Sequence, residues 1–286
     1  MKETAMDVRS DTRRMSRSSG KPDVRSKRRH WAAGCLTAAS LLAAPGANAQ
    51  ANEKRWSLGL GVVAYDSIYA TEEPRLLPVP VALYEGERFF FRGNSFGAHL
   101  FQSETLTFDV VGAPRFEGVK ASDLDADALK RAGIDASIVR NRHDGVDLGA
   151  GLQWRTGVGI FGIEYLQDIS GASGGALSTL TYSAPIVSGP TTFLPHAAIK
   201  HYSAKSANYY FGTWRDEVAR GAPAYTPGAY TSPELGLTVL RQLGERWSAV
   251  GAVTVERVPD EVSRSPLADR GRELSGSLTL ALLRKF

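Results

Sequence analysis

This sequence predicts an all-β fold: a transmembrane antiparallel up-and-down β-barrel of about twelve strands, with ten as the alternative. Three observations lead there. Apolar and polar residues alternate with a period of two along segment after segment, the pattern of a two-faced strand. No stretch of 18 or more apolar residues follows residue 49, so a membrane crossing would have to be made by closed strands, which alone satisfy every backbone group in lipid besides helices. The connections between strands also sort by length in alternation, short then long.

The segment 274–286 is the clearest ribbon. Leu278, Leu280, Leu282 and Phe286 share one face, and Ser277, Thr279 and Ala281 the other. In a barrel this strand would close the cylinder against the first one. The final Phe resembles the ending that barrel-assembly machinery reads. Arg284 stands where an aromatic or aliphatic residue is more usual, and it is expected to snorkel at the membrane rim.

Taken in order, 56–65 places Trp56, Leu58, Leu60, Val62 and Ala64 against Ser57, Gly59 and Gly61. A charged loop, 66–77, follows. Strands at 78–84 and 88–93 flank a Glu85-Gly86-Glu87 turn, and 96–101 comes after Asn94-Ser95. In 104–113, Leu106, Phe108 and Val110 oppose Thr105, Thr107 and Asp109. The polar stretch 114–143 holds an expected short helix at 122–132, opened by Ser122 or Asp123 and stopped by Gly133.

The strand 144–155 sets Val146, Leu148, Ala150, Leu152 and Trp154 against Asp147, Gly149, Gly151, Gln153 and Arg155. The chain returns over 157–168, with Phe161, Ile163 and Tyr165 opposite Gly162, Glu164 and Asp168. A Gly/Ser loop, 169–174, precedes strands at 176–183 and 190–202. The segment 203–230 reads as a long loop rich in aromatics, Gly and Pro. Strands at 232–242 and 246–257, a loop at 258–273 and the closing strand complete twelve.

With both ends of the barrel in the periplasm, the joins near Glu85, Ser103, Thr156, Ser188 and Gly244 fall on one side and are short. The joins 66–77, 114–143, 203–230 and 258–273 fall on the other and are long. Short periplasmic turns with long external loops are what an outer-membrane barrel shows. Its lumen is then expected to be lined by Asp109, Asp147, Gln153, Glu164, Glu234 and Glu256.

Residues 1–49 read as an N-terminal extension and secretory signal peptide, leaving 50–286 as the barrel domain. Arg25, Lys27, Arg28 and Arg29 form a positive start, 31–44 is apolar, and Ala47-Asn48-Ala49 is a small-x-small cleavage pattern. The formal charge of +4 belongs to this leader. It holds 10 of the 34 Lys and Arg and 4 of the 30 Asp and Glu, so the rest carries 24 basic against 26 acidic residues. A nucleic-acid partner loses its electrostatic support. Cys35 is the one cysteine, and it lies in the leader, so the mature chain has no disulfide framework and no thiolate chemistry.

Motifs that suggest chemistry do not sit in the setting that chemistry needs. Gly171-Ala172-Ser173-Gly174-Gly175 matches G-x-S-x-G, but a strand follows it rather than a helix. Gly157 to Gly162 matches G-x-G-x-x-G inside an alternating strand, where no helix N-terminus meets a pyrophosphate. His99, His143, His196 and His201 form no ligand spacing, and His201 with Ser203 lacks an acidic partner. Catalytic, cofactor-binding and metal-binding residues are therefore expected to be none, and the protein is expected not to be an enzyme.

Several stretches together resemble the MipA/OmpV family of outer-membrane proteins, named for an MltA-interacting protein. They are Pro78-Val79-Pro80, Tyr84-Glu85-Gly86, Phe89-Phe90, Asp168-Ile169-Ser170-Gly171 with Gly175, Leu180-Thr181-Tyr182 and Pro185. Asn208-Tyr209-Tyr210-Phe211-Gly212, Tyr225-Thr226-Pro227-Gly228, Trp247 and Ser265-Pro266-Leu267 continue the series. They run in family order across nearly the whole mature chain. The resemblance implies an outer-membrane barrel in contact with outer-membrane lipid. It also implies a non-enzymatic scaffold partnered with a murein lytic transglycosylase and a penicillin-binding protein. A small pore for polar solutes, or a surface antigen or adhesin, is the alternative.

Overall fold

The computed structural model describes residues 56–71 and 75–286. The expected leader, 1–49, lies outside them, as does Cys35.

Thirteen strand segments form one antiparallel sheet that closes on itself. They are β1 (Trp56–Tyr65), β2 (Arg75–Glu85), β3 (Phe89–Arg92), β4 (Ser95–Gln102), β5 (Leu106–Arg115), β6 (Gly145–Thr156) and β7 (Gly159–Asp168). Then come β8 (Ala176–Ser183), β9 (Ile186–Ser188), β10 (Thr191–Tyr202), β11 (Tyr230–Gln242), β12 (Trp247–Arg257) and β13 (Leu274–Lys285). The segments β8 and β9 are two pieces of one stave. Both pair with β10, and Ala184 donates to Pro195 O at 3.1 Å between them, where Pro185 has no N–H to give. The cylinder thus has twelve staves. It closes where β13 meets β1, from Ser57 opposite Lys285 to Tyr65 opposite Ser277.

The alternation read from the sequence sets the two faces of the wall. Leu60 is 74 % exposed, Leu235 67 % and Leu280 57 %, while their neighbours Gly61, Glu234 and Thr279 turn inward. Such a continuous apolar outside is far beyond what a water-soluble surface carries, and it matches the lipid-facing band of a membrane barrel. Aromatic rings mark one rim: Trp56 on Tyr84 at 4.6 Å, and Trp154, Phe161 and Tyr182 in a ladder at 5.9 and 5.0 Å. This is the interfacial girdle position for amphipathic rings. Arg284 lies on the outer face of the same rim, with its guanidinium 5.9 Å from the Trp247 ring and 5.1 Å from the Phe286 ring. Cation–π attraction at these distances explains how a charge is tolerated there.

Turns on this rim are short, at 86–88, 103–105, 157–158, 189–190 and 243–246. The opposite rim carries the long connections 66–74, 116–144, 169–175, 203–229 and 258–273, together with one tight hairpin at Gly93-Asn94. Two of the long loops fold further than the sequence reading expected. The helix expected at 122–132 is a 3-10 turn, Ala121–Asp123, followed by α1 (Ala126–Arg131). Its cap is Asp125, not Ser122 or Asp123, because Leu124 is pulled extended into a bridge with Thr71. The segment read as an aromatic loop holds α2 (Ala204–Phe211) and α3 (Arg215–Ala219), and 258–273 holds α4 (Asp260–Ser263).

Candidate functional site in the capped lumen

The long loops form a cap with its own apolar core. Tyr69, Val119, Leu129, Ile134, Tyr210, Phe211, Val262 and Leu267 come from four different loops and bury one another over the barrel mouth. Tyr202 and Tyr230 at the ends of β10 and β11 stack at 4.7 Å and tie the cap to the wall. The turn 169–175 anchors α2 from the side. A Cβ on Gly175 would overlap the Ser206 backbone, so only glycine permits this approach.

One ion pair locks the cap. Arg142 sends Nη1 and Nη2 to the two oxygens of Glu217 at 2.8 and 2.9 Å, and both side chains are almost fully buried. Nη2 also donates to Gly212 O at 2.9 Å, and the guanidinium lies 4.0 Å over the Trp214 ring. Glu217 in turn accepts from the backbone N–H of Trp214 and of Arg140 at 2.7 and 2.8 Å. Burial alone would raise this carboxyl, but the Arg142 hydrogen bonds and the two N–H donors outweigh it and hold it below its usual range.

Beneath the cap the lumen holds three clusters of charge. Near the turn rim, Arg92 donates to Glu85 at 3.0 and 2.8 Å, and His99 bridges Asp109 at 2.7 Å and Glu85 at 3.1 Å. Under the cap, Arg115 grips Asp147 Oδ2 from Nε and Nη2 at 2.8 and 2.6 Å and reaches Ser206 of α2 at 2.6 Å. Across the barrel, Lys200 donates to Glu234 at 2.6 Å and Glu256 at 3.0 Å, with His196 Nε2 3.5 Å from Glu234. Burial pushes the Glu117 carboxyl, on the loop just beyond β5, above its usual range, the nearby Arg115 notwithstanding. These pairs leave a cavity of about 200 Å³ between the wall and the cap.

The polar set expected in the lumen faces inward: Asp109, Asp147, Gln153, Glu164 and Glu234 line this cavity, and Glu256 lines a smaller neighbour of about 90 Å³. The sequence reading missed the bases that neutralise them, Arg92, Arg115 and Lys200. Each falls at an inward position of its strand, so the period-two count could have found them. The inner face of β1 and β2 departs from the polar expectation, because Val63 and Val79 point inward and are buried.

The structure separates the residues of the chemical motifs. Ser173 is tied into its own turn, its hydroxyl accepting from Gly175 N–H at 3.1 Å. Its N–H and hydroxyl both donate to Asp168, at 2.6 and 3.0 Å, and so shape the turn. Ser203 caps α2, while His201 turns outward to Thr231 at 2.9 Å, so the two do not meet. Gly159 and Gly162 lie in β7, ahead of another strand.

Comparison with known proteins agrees with this architecture. Residues 58–284 match the family model described as MltA-interacting protein MipA. The MltA-interacting protein of Escherichia coli strain K12 is 28 % identical, over 88 % of this chain and 98 % of that one. The putative outer membrane protein YiaT of the same strain is 22 % identical, over 79 % and 90 %. Outer membrane protein OmpV of Vibrio cholerae is 26 % identical, over 68 % and 75 %. With the closed twelve-stave barrel and its lipid-facing outside, these matches place the chain in the outer membrane as a member of the MipA family.

Proposed function

We propose that this protein is a non-enzymatic outer-membrane scaffold that holds a murein-remodelling enzyme, a lytic transglycosylase, at its short-turn rim. The observation that carries the reading is the cap. A barrel whose mouth is filled by a packed apolar core and locked by a buried Arg142–Glu217 pair is suited to be a rigid anchor rather than a conduit. The printed name of the Escherichia coli relative, MltA-interacting protein, supports the same reading. On the turn rim, Val158 and Val187 are 71 % and 66 % exposed, Leu243 on the 243–246 turn is exposed as well, and Glu87, Arg88 and Glu245 are exposed charges of the same rim, which offers apolar anchors among polar groups. A penicillin-binding protein would join through the same assembly. Crosslinking in intact envelopes followed by purification tests this: a lytic transglycosylase is the expected partner, and recovery of the barrel without any murein enzyme contradicts it.

A second reading, a small pore for polar solutes, draws on the charged cavity under the cap. Stepwise conductance of the native protein in a planar bilayer would favour it over the scaffold, and a silent bilayer would remove it.

A further inference from the structure

The barrel wall has a gap on its loop side. β3 is four residues long, and its turn into β4 falls at Gly93-Asn94, where Gly93 takes φ +68°. β2 therefore meets β3 only along Leu83 to Glu85, the ladder ending at Gly93 N–H to Ala82 O at 3.0 Å. β5 meets β4 only as far as Gly112 opposite Phe96. Beyond that level, among the described residues, β2 and β5 have no strand on their facing sides. Two strands missing at a spacing of about 4.8 Å leave edges up to about 14 Å apart. Exposed Leu60 and Val62 on neighbouring β1 put this gap at membrane height.

An open edge in lipid strands backbone groups without partners. Proline relieves this by removing the donor. Backbone groups alternate in direction along an antiparallel strand. Ala82 O points at β3, so residues 80 and 78 point into the gap. Leu106 O accepts from Ser103 N–H across the β4 hairpin, so Pro114, at the same parity, also points into it. Pro78, Pro80 and Pro114 thus stand where an N–H would be stranded, and the edges offer carbonyl oxygens.

The cavity under the cap reaches this gap, bounded there by Asn94, Ser95, Pro114 and Phe116. Just inside lies an apolar cluster of Phe90, Val111 and Leu166, with Ala113 against it. At that boundary Asn94 Oδ1, and elsewhere in the cavity Asp147 Oδ1 and Glu117 Oε2, are buried acceptor oxygens with no hydrogen-bond donor, Glu117 Oε2 lying 3.9 Å from Arg115 Nη1. An apolar threshold leading to unpaired acceptors selects for a chain that ends in a donor-rich cation. We propose that the gap admits a cationic amphiphile, an alkylammonium, from the outer leaflet. Its chain lies against the prolines and the apolar cluster, and its N–H groups meet the Asn94, Glu117 and Asp147 oxygens.

Native mass spectrometry of the protein in neutral-detergent micelles tests this, with dodecylamine, laurate and spermidine as probes. A one-to-one dodecylamine adduct is expected. Ala113→Trp, which fills the threshold, and Glu117→Gln, which removes an acceptor charge, are each expected to weaken it about tenfold or more. Heat-modifiable migration checks that both variants fold; should neither do so, the three-probe comparison on the native protein decides alone. Laurate binding as well as dodecylamine overturns the acceptor-lined site. Spermidine binding as well overturns the role of the gap, as does an amine adduct indifferent to both variants. Absence of any amine adduct overturns the proposal as a whole.

Discussion

At the level of single residues, the cap depends on Glu217. Removing it leaves the Arg142 guanidinium buried without its counter-ion, a loss of about 3–5 kcal/mol for a broken buried pair. That loss falls on the cap, since neither residue touches the barrel ladder. Glu217→Ala is therefore expected to expose Tyr210 and Phe211 to chymotrypsin at neutral pH while heat-modifiable migration is kept. The carboxyl also sets an acid limit. Its folded pKa is depressed, so its contribution is present above the unfolded value of about 4.3 and is lost as pH falls through the folded value. Glu117 and Asp144, both raised by burial, act in the opposite sense. Protection of the native cap against pepsin, a protease active in acid, is expected to fall in a step below about pH 4, and Glu217→Gln should show no such step; a step unchanged in that variant contradicts the assignment. None of this pairing was legible in the sequence. Arg142 and Glu217 are 75 residues apart with β6 to β10 between them, and neither lies in a periodic segment that would announce a partner.

Individual strands were legible because they separate two unlike surroundings. The outer face of β13 meets lipid and its inner face meets the lumen, so Leu278, Leu280 and Leu282 alternate with Ser277, Thr279 and Ala281, until Leu283 breaks the pattern as a buried inward leucine. Leu280→Arg is accordingly expected to destabilise the folded barrel by about 2–4 kcal/mol, the range for a base on a lipid face near midplane. At a water-exposed site the change would stay within about 0.5 kcal/mol, and denaturant titration in lipid vesicles distinguishes the two. The helices α2 and α3 were not legible. Their segment is rich in Gly, Pro and aromatics, and the start of α2 is held by a distant turn, with Gly175 against Ser206 and Ala176 N–H donating to the cap Ser203. The shortness of β3 was readable from Asn94-Ser95. Its effect on the wall was not, since that depends on which backbone groups β2 and β5 turn toward each other.

For the molecule as a whole, the cap decides whether the lumen communicates with the outside. Replacing 203–229 with a flexible Gly/Ser linker removes α2, α3 and the Glu217 latch, and is expected to turn a silent barrel into one with stepwise conductance in planar bilayers. Equal silence in both would place the barrier in the barrel itself, at the Arg115–Asp147 and Lys200–Glu234 pairs. Twelve staves were countable from sequence, because a closed wall forces strands to alternate direction, and so was the division into short and long connections, except for the tight Gly93-Asn94 hairpin on the long-loop rim. The closing of the mouth was not, because it comes from loops packing on one another across four connections. Everything here rests on the apolar side chains of the staves facing lipid. Since Cys35 is the single cysteine of the chain, each of positions 277–282 can carry one spin label in a variant freed of it. Collision with dissolved oxygen and with a water-soluble nickel chelate, measured in vesicles, is then the most direct test. Labels at 278, 280 and 282 are expected to meet oxygen and not nickel, alternating with labels at 277, 279 and 281 that show the reverse or are immobilised. Labels at 278, 280 and 282 that are immobilised in a core, or open to nickel, would contradict the account.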